Sequence, residues 1–260
     1  MKLTFLGTGA AICIRTPNSE IKEGQLRCSS VLMDENILVD VPFQAFDYAV
    51  ELGIDVSKVT DVFLTHSHDD HFQKGTLAAF AKKAKAKLNF WCHKGAIENL
   101  ELSAEDAAAV NIYPIEIMDK WETGGVKVTA LPANHITRGS EQPLHYVFEK
   151  DGKSVFYGCD GGWFMARTWE YMRKLKLDAV VLDATVGDDA GNFRIGTHNS
   201  IPMLKIINAA LLHNGIMDEN GKRIASHIAP SVYKMTRAEI ESALSVLGMI
   251  AAYDGFEIEI

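Results

Sequence analysis

The chain is short of several things that would fix its class at once. Cysteine is scarce: Cys13, Cys28, Cys92 and Cys159 in 260 residues, with no C-x-x-C pair. That scatter excludes a disulfide framework and leads us to expect reduced, mostly buried thiols. No apolar run approaches the length of a membrane span. The opening Met1-Lys2-Leu3-Thr4-Phe5-Leu6 turns to Gly-Thr-Gly too soon for a signal-peptide core. The expectation is a cytoplasmic protein that meets no membrane. Positive charge is also short, 26 Lys and Arg against 34 Asp and Glu, for a net −8. Such a surface repels nucleic acid and anionic lipid. The densest basic stretch, Lys82-Lys83-Ala84-Lys85-Ala86-Lys87, reads as the solvated face of a helix.

Internal repeats, low-complexity tracts and Pro/Ser-rich linkers are absent too, so residues 1–260 read as one domain. Alternation and β-branching predict strands over 2–6, 30–33, 37–39, 59–64, 87–91, 126–131, 144–149, 154–157, 179–182 and 256–260. Helical spacing predicts helices over 43–52, 74–86, 163–175, 201–213 and 236–253, with another through Val110 capped by Ser103. Hairpins followed by alternating strands and helices suggest packed sheets with helices outside.

What is present is histidine in the right place. His66-x-His68-x-Asp70-His71 puts three imidazoles and a carboxylate in six residues, straight after an apolar strand. Three of the nine histidines falling in one such window argues against a chance surface loop. No regular helix or strand aims all four at one point, but a loop leaving a strand can. Imidazole and carboxylate suit zinc or manganese and admit iron. A two-metal site needs more donors, and His135, Asp160 and His227 each follow an extended segment, where a site built from loops would recruit them.

With this loop the chain resembles the metallo-β-lactamase superfamily, whose hallmark is H-x-H-x-D-H. The opening Leu3-Thr4-Phe5-Leu6-Gly7-Thr8-Gly9-Ala10 resembles its phosphodiesterase branch, and Tyr253-Asp254-Gly255-Phe256-Glu257-Ile258 is similar to the cyclic phosphoribosyl phosphodiesterase (PhnP-like) family. The resemblance implies an α/β (α+β) fold, a four-layer αββα sandwich. It implies two divalent ions, one on His66, His68 and His135 and one on Asp70, His71 and His227, with Asp160 bridging. It also implies that Asp40 orients the site. Cys13 and Cys28 fall where some of these enzymes hold an extra zinc, but they form no tight cluster, so no such site is expected.

In the same branch a histidine at the place of His198, in Gly196-Thr197-His198-Asn199-Ser200, contacts the scissile phosphate. His198 would then assist the leaving oxygen, Asp183 would hold its ring, and Asp70 would position a bridging hydroxide. The expected substrate is a small phosphodiester, cyclic ones included. The alternatives are a tRNA 3′-processing ribonuclease, for which no Gly/Pro-rich arm is visible, and a hydrolase of thioesters or lactones. Ser67, where a redox di-iron relative would carry a carboxylate, argues against electron transfer. Nucleic acid is not the expected partner, and a homodimer is allowed. His145 and His213 read as structural; His93 and residues 187–193 are left without a role.

Overall fold

The computed structural model describes residues 1–10, 25–229 and 235–260. Along the first half run β1 (Lys2–Gly7), β2 (Ser30–Met33), β3 (Ile37–Val39), α1 (Ala45–Glu51), β4 (Asp61–Phe63), α2 (Lys74–Lys83), β5 (Leu88–His93), α3 (Ala104–Ala109) and β6 (Val110–Ile115). The second half holds β7 (Lys120–Thr123), β8 (Val126–Pro132), β9 (Leu144–Lys150), β10 (Lys153–Gly158), α4 (Ala166–Met172), β11 (Leu177–Asp183), α5 (Ile201–His213), β12 (Met217–Ser226), α6 (Arg237–Val246), β13 (Ile250–Ala251) and β14 (Glu257–Glu259). One sheet has the order β14-β1-β2-β3-β4-β5-β6 and the other β13-β12-β11-β10-β9-β8-β7.

The layering follows from strands that are apolar at every position. Successive side chains of a strand point to opposite faces, so a strand buried on both faces reads as a continuous apolar run. In the first sheet Val31, Ile37, Val39 and Phe63 face the other sheet, where Tyr146, Phe148, Val155 and Val181 meet them. Their neighbours Leu32, Leu38, Val62 and Leu64 face outward onto Ala49, Leu77 and Phe80 of α1 and α2. In the second sheet Phe156, Val180 and Leu182 turn out towards Leu204, Ile207 and Leu211 of α5 and Ile240 and Leu244 of α6. These three apolar interfaces make the four-layer αββα sandwich.

Differences from the expected elements concentrate at sheet edges. Strands β6, β7 and β13 were not expected, and all three are edges with one hydrogen-bonded neighbour apiece. The helix expected over 236–253 ends at Val246, because Gly248 turns the chain at φ 66° and frees Ile250–Ala251 to pair with β12. Cys28 is disulfide-bonded, which corrects the reading of four reduced thiols; Cys92 and Cys159 are free and buried. Cys13 lies outside the described residues. Among the described residues no helix is long and apolar enough to cross a membrane.

Candidate metal centre

The carboxyl ends of six strands converge where the two sheets meet. Asp40 follows β3, residues 65–71 follow β4, His135 follows β8, Asp160 follows β10, Asp183 ends β11 and His227 follows β12. Three of these residues hold left-handed backbone: Asp40 at φ 62°, Asp160 at 58° and His227 at 54°. Side chains other than glycine avoid this region, so the surrounding contacts must hold them there.

All seven residues expected as ligands are brought together, in two groups sharing Asp160. In the first group His66 Nε2 lies 2.9 Å from His68 Nδ1, and His135 Nε2 lies 3.3 Å from the same atom. In the second, His71 Nε2 and His227 Nε2 are 3.2 Å apart, with Asp70 Oδ2 3.6 Å from each. Asp160 Oδ2 stands between the groups, 3.4 Å from His66 Nε2, 3.4 Å from His71 Nε2 and 3.6 Å from His227 Nε2.

This arrangement fits divalent cations. Donor atoms on tetrahedral bonds of ~2.1 Å to one ion stand ~3.4 Å apart, close to the separations found. Two buried carboxylate oxygens also lack hydrogen-bond donors, Asp70 Oδ2 and Asp160 Oδ1. The latter is 2.9 Å from His198 Nδ1 but out of line for a hydrogen bond. Buried carboxylate oxygens are costly without a partner. A cation in the second group would supply one to Asp70 Oδ2.

The far nitrogens of the rings are also engaged, which sets their tautomers. His71 Nδ1 donates to Asp40 Oδ2 at 2.7 Å. Asp40 is anchored in turn by the Thr65 amide at 2.8 Å and the Thr65 hydroxyl at 2.9 Å. His66 Nδ1 contacts Thr65 Oγ1 at 3.1 Å, and His135 Nδ1 donates to the Thr197 carbonyl at 3.2 Å. His227 Nδ1 meets Thr185 Oγ1 at 2.7 Å, and that hydroxyl lies 2.8 Å from Asp183 Oδ2.

The electrostatics divide along the same line. Burial pulls His66, His68 and His135 down towards the neutral form that binds a cation. Burial opposes charge on His227 too, but Asp160, Asp183 and Asp70 outweigh it and push it up to about 9. Burial likewise opposes charge on His71, where Asp40 and Asp70 win and raise it.

His198 and Asp183 form a third group with Asp160 and His227. His198 Nδ1 donates to Asp183 Oδ2 at 3.0 Å, while Asp183 Oδ1 accepts the Asn199 and Thr185 amides at 2.8 and 3.0 Å. Burial again opposes charge, but Asp160 and Asp183 push His198 up to about 11. The loops fit closely here. A Cβ on Gly161 would stand 2.7 Å from His145 Nε2, and one on Gly162 would stand 2.9 Å from the Ile195 carbonyl.

The histidines left aside resolve simply. His93 Nδ1 accepts the amides of Gly95 and Gln142, both at 3.1 Å, so it braces a loop. His145 is buried edge-on to Phe156 and Phe164 with neither ring nitrogen hydrogen-bonded, and burial lowers it to about 4. Two contributors were given no role from the sequence, Thr65 and Thr185. Their signal is position alone, one residue before His66 and two after Asp183.

A cleft of about 510 Å³ opens from the centre, with His68 and Asp70 at one end and Lys74, Asn99, Glu101 and Arg138 among its walls. Residues 187–193 do not line it.

A model of the β-lactamase superfamily domain matches residues 35–228. A "UPF0173 metal-dependent hydrolase" of Staphylococcus carnosus (strain TM300) is 29% identical over 139 residues, covering 50% of this chain and 57% of that protein. The chain thus spans little more than half of the curated relative it matches. Among solved structures, the metallo-β-lactamase fold protein YhfI from Bacillus subtilis aligns with TM-score 0.75 at 14% identity, over 100% of this chain and 98% of that one. A new diphosphatase from the PhnP family aligns with TM-score 0.74 at 20% identity, over 100% and 97%. The matched span covers the His66–His71 loop and runs through His227, and on that evidence this chain belongs to the metallo-β-lactamase superfamily.

Proposed function

We propose that the chain is a metal-dependent hydrolase that cleaves a small phosphodiester. The observation that carries this reading is the His198–Asp183 pair set against the bridging Asp160. It adds a proton-bearing imidazole to a two-cation donor set, which is what departure of an alkoxide requires. His66, His68 and His135 would hold one cation, Asp70, His71 and His227 the second, and Asp160 both. When bound, two cations lower the pKa of water and draw charge from the oxygens of the reacting phosphate.

The chain's own residues supply the rest. Asp70 Oδ2, free of hydrogen-bond donors, orients the attacking water. Water adds to phosphorus and releases one proton to solvent, the bond from phosphorus to the ester oxygen breaks, and that oxygen takes its proton from His198. Asp183 holds His198 through Nδ1, which leaves Nε2 as the proton-bearing atom. A cleft of about 510 Å³ suits a small molecule. Lys74 and Arg138 on its wall offer an anion two cationic contacts beside the carboxylates of Asp69 and Glu101. The relatives named a metal-dependent hydrolase and a diphosphatase support metal dependence and phosphorus as the reacting atom.

The test is a hydrolysis screen of protein loaded with zinc, manganese or iron. It compares an aryl phosphodiester, cyclic nucleotides, cyclic phosphoribosyl phosphate, a precursor tRNA, a thioester and a lactone. We expect turnover of one or more small phosphodiesters. Turnover confined to precursor tRNA, the thioester or the lactone overturns the reading.

A further inference from the structure

Glu141 has no place in the chemistry above, yet it is one of the best-anchored carboxylates in the described chain. It is 8% exposed and makes no ion pair with Lys, Arg or His among the described residues. Its carboxylate accepts three hydrogen bonds instead: from the Ser67 amide at 2.7 Å, the Ser67 hydroxyl at 2.5 Å and Asn99 Nδ2 at 2.8 Å. Charged acceptors make the stronger hydrogen bonds, and a buried carboxylate deprived of its donors is costly.

The position of these contacts matters more than their number. Ser67 lies between His66 and His68, and Glu141 lies six residues beyond His135. The loop carrying His135 and Glu141 is closed at its base, where the Ala133 amide donates to the Pro143 carbonyl at 2.9 Å and Gln142 Nε2 donates to the Ala133 carbonyl at 2.9 Å. Its middle is pinned by Thr137 Oγ1 to the Glu141 carbonyl at 2.8 Å and by Asn99 Nδ2 to the Arg138 carbonyl at 3.2 Å. Gly95 packs so tightly beneath it that a Cβ would sit 2.5 Å from the Ser140 backbone. A stiff loop is therefore bolted to the backbone between two ligands at one side chain.

Resting on the two-cation reading, we propose that Glu141 is the positioning residue for the first cation. Through Ser67 it fixes the spacing of His66 and His68 from His135. The imidazoles of the second group have supports of their own: His71 is held by Asp40, and His227 by Thr185 and Asp183.

The test is E141Q, which keeps the volume but faces an NH2 towards Ser67 or Asn99, both of them donors to Glu141. Zinc affinity is measured by competition with a chromophoric chelator in two backgrounds. H227A leaves the first group's three histidines intact; H135A leaves the second group's Asp70, His71 and His227 intact. In H227A, E141Q should weaken zinc on the order of 10- to 100-fold, the usual cost of losing a ligand's support. In H135A it should change affinity less than about twofold. N99A, which leaves both Ser67 bonds in place, controls for loop damage and should shift H227A far less than E141Q does. Equal weakening in both backgrounds, or none in either, overturns the proposal while leaving the metal reading intact. Failure of the unsubstituted chain to bind zinc sinks both.

Discussion

The two halves of the donor set are built differently. His68 and His135 are part-exposed while His66 is buried, and the groups touching the His66 and His135 rings from behind are neutral: a threonine hydroxyl and a carbonyl oxygen. Asp70, His71 and His227 are wholly buried, and carboxylates back the two imidazoles, Asp40 behind His71 and Asp183 beside His227. The strained backbone lies on the same side, at Asp40, His227 and the shared Asp160. A carboxylate behind an imidazole makes its other nitrogen a better donor to a cation. On the proposed reading, the buried half would hold its ion and the open half would hold one while meeting substrate.

The largest effect should come from the residue that belongs to both halves. Asp160→Ala removes the oxygen lying within 3.6 Å of His66, His71 and His227. Metal content by atomic spectroscopy should fall below one ion per chain, and phosphodiester turnover should fall to background. A fully loaded variant would erase the idea of a shared ligand. Next comes His198→Ala, outside both halves. Loss of a general acid costs about 10²- to 10⁴-fold with a poor leaving group. With an aryl ester, whose phenolate needs little protonation, the loss should be much smaller, and both ions should stay. Equal losses on alkyl and aryl esters would take the proton-donor role away from His198.

How far the sequence revealed these halves depends on what carries each residue. His66, His68, Asp70 and His71 are legible because one loop carries all four, so spacing alone announces them. His135, Asp160 and His227 are legible only as donors at strand ends, a weaker pattern that gains weight beside the loop. The left-handed backbone of Asp40, Asp160 and His227 is not legible, since nothing in an aspartate or histidine codes that handedness as glycine would. Glu141 hides for a related reason: it is a glutamate in a polar loop, and its partner Ser67 is 74 residues away. In the fold, central strands such as β10 and β11 show as apolar runs because both faces are buried. The missed β6, β7 and β13 are edges: β6 carries Pro114, β7 alternates exposed and half-buried positions, and β13 is two residues long.

A carboxylate behind one ring and a hydroxyl beside another allow the buried half to be graded. In Asp40→Asn one side of the carboxamide is an NH2, so either the Thr65 amide or His71 Nδ1–H loses its acceptor. If the NH2 meets His71, the neutral ring moves its proton to Nε2, the atom that would face the cation. We expect the second ion to weaken about 10- to 100-fold, with the first barely altered.

Thr185→Val should be the smallest step. The Thr185 hydroxyl has one proton and two lone pairs, and its neighbours are His227 Nδ1 at 2.7 Å, Asp183 Oδ2 at 2.8 Å and the His227 carbonyl at 2.9 Å. The arrangement that satisfies most of them has Nδ1–H donating to the hydroxyl, which donates to Asp183. Valine keeps the shape and removes the relay, but Asp183 Oδ2 lies only 3.2 Å from His227 Nδ1 and can take the proton directly. The loss is therefore near that of one neutral hydrogen bond, about 1 kcal/mol, or about fivefold in affinity for the second ion. Thr185→Ser keeps the hydroxyl and should keep the affinity. A valine effect as large as that of Asp40→Asn would mean that the hydroxyl, rather than the carboxylate behind it, sets the His227 tautomer, and the contrast between charged and neutral supports would then hold for His71 alone.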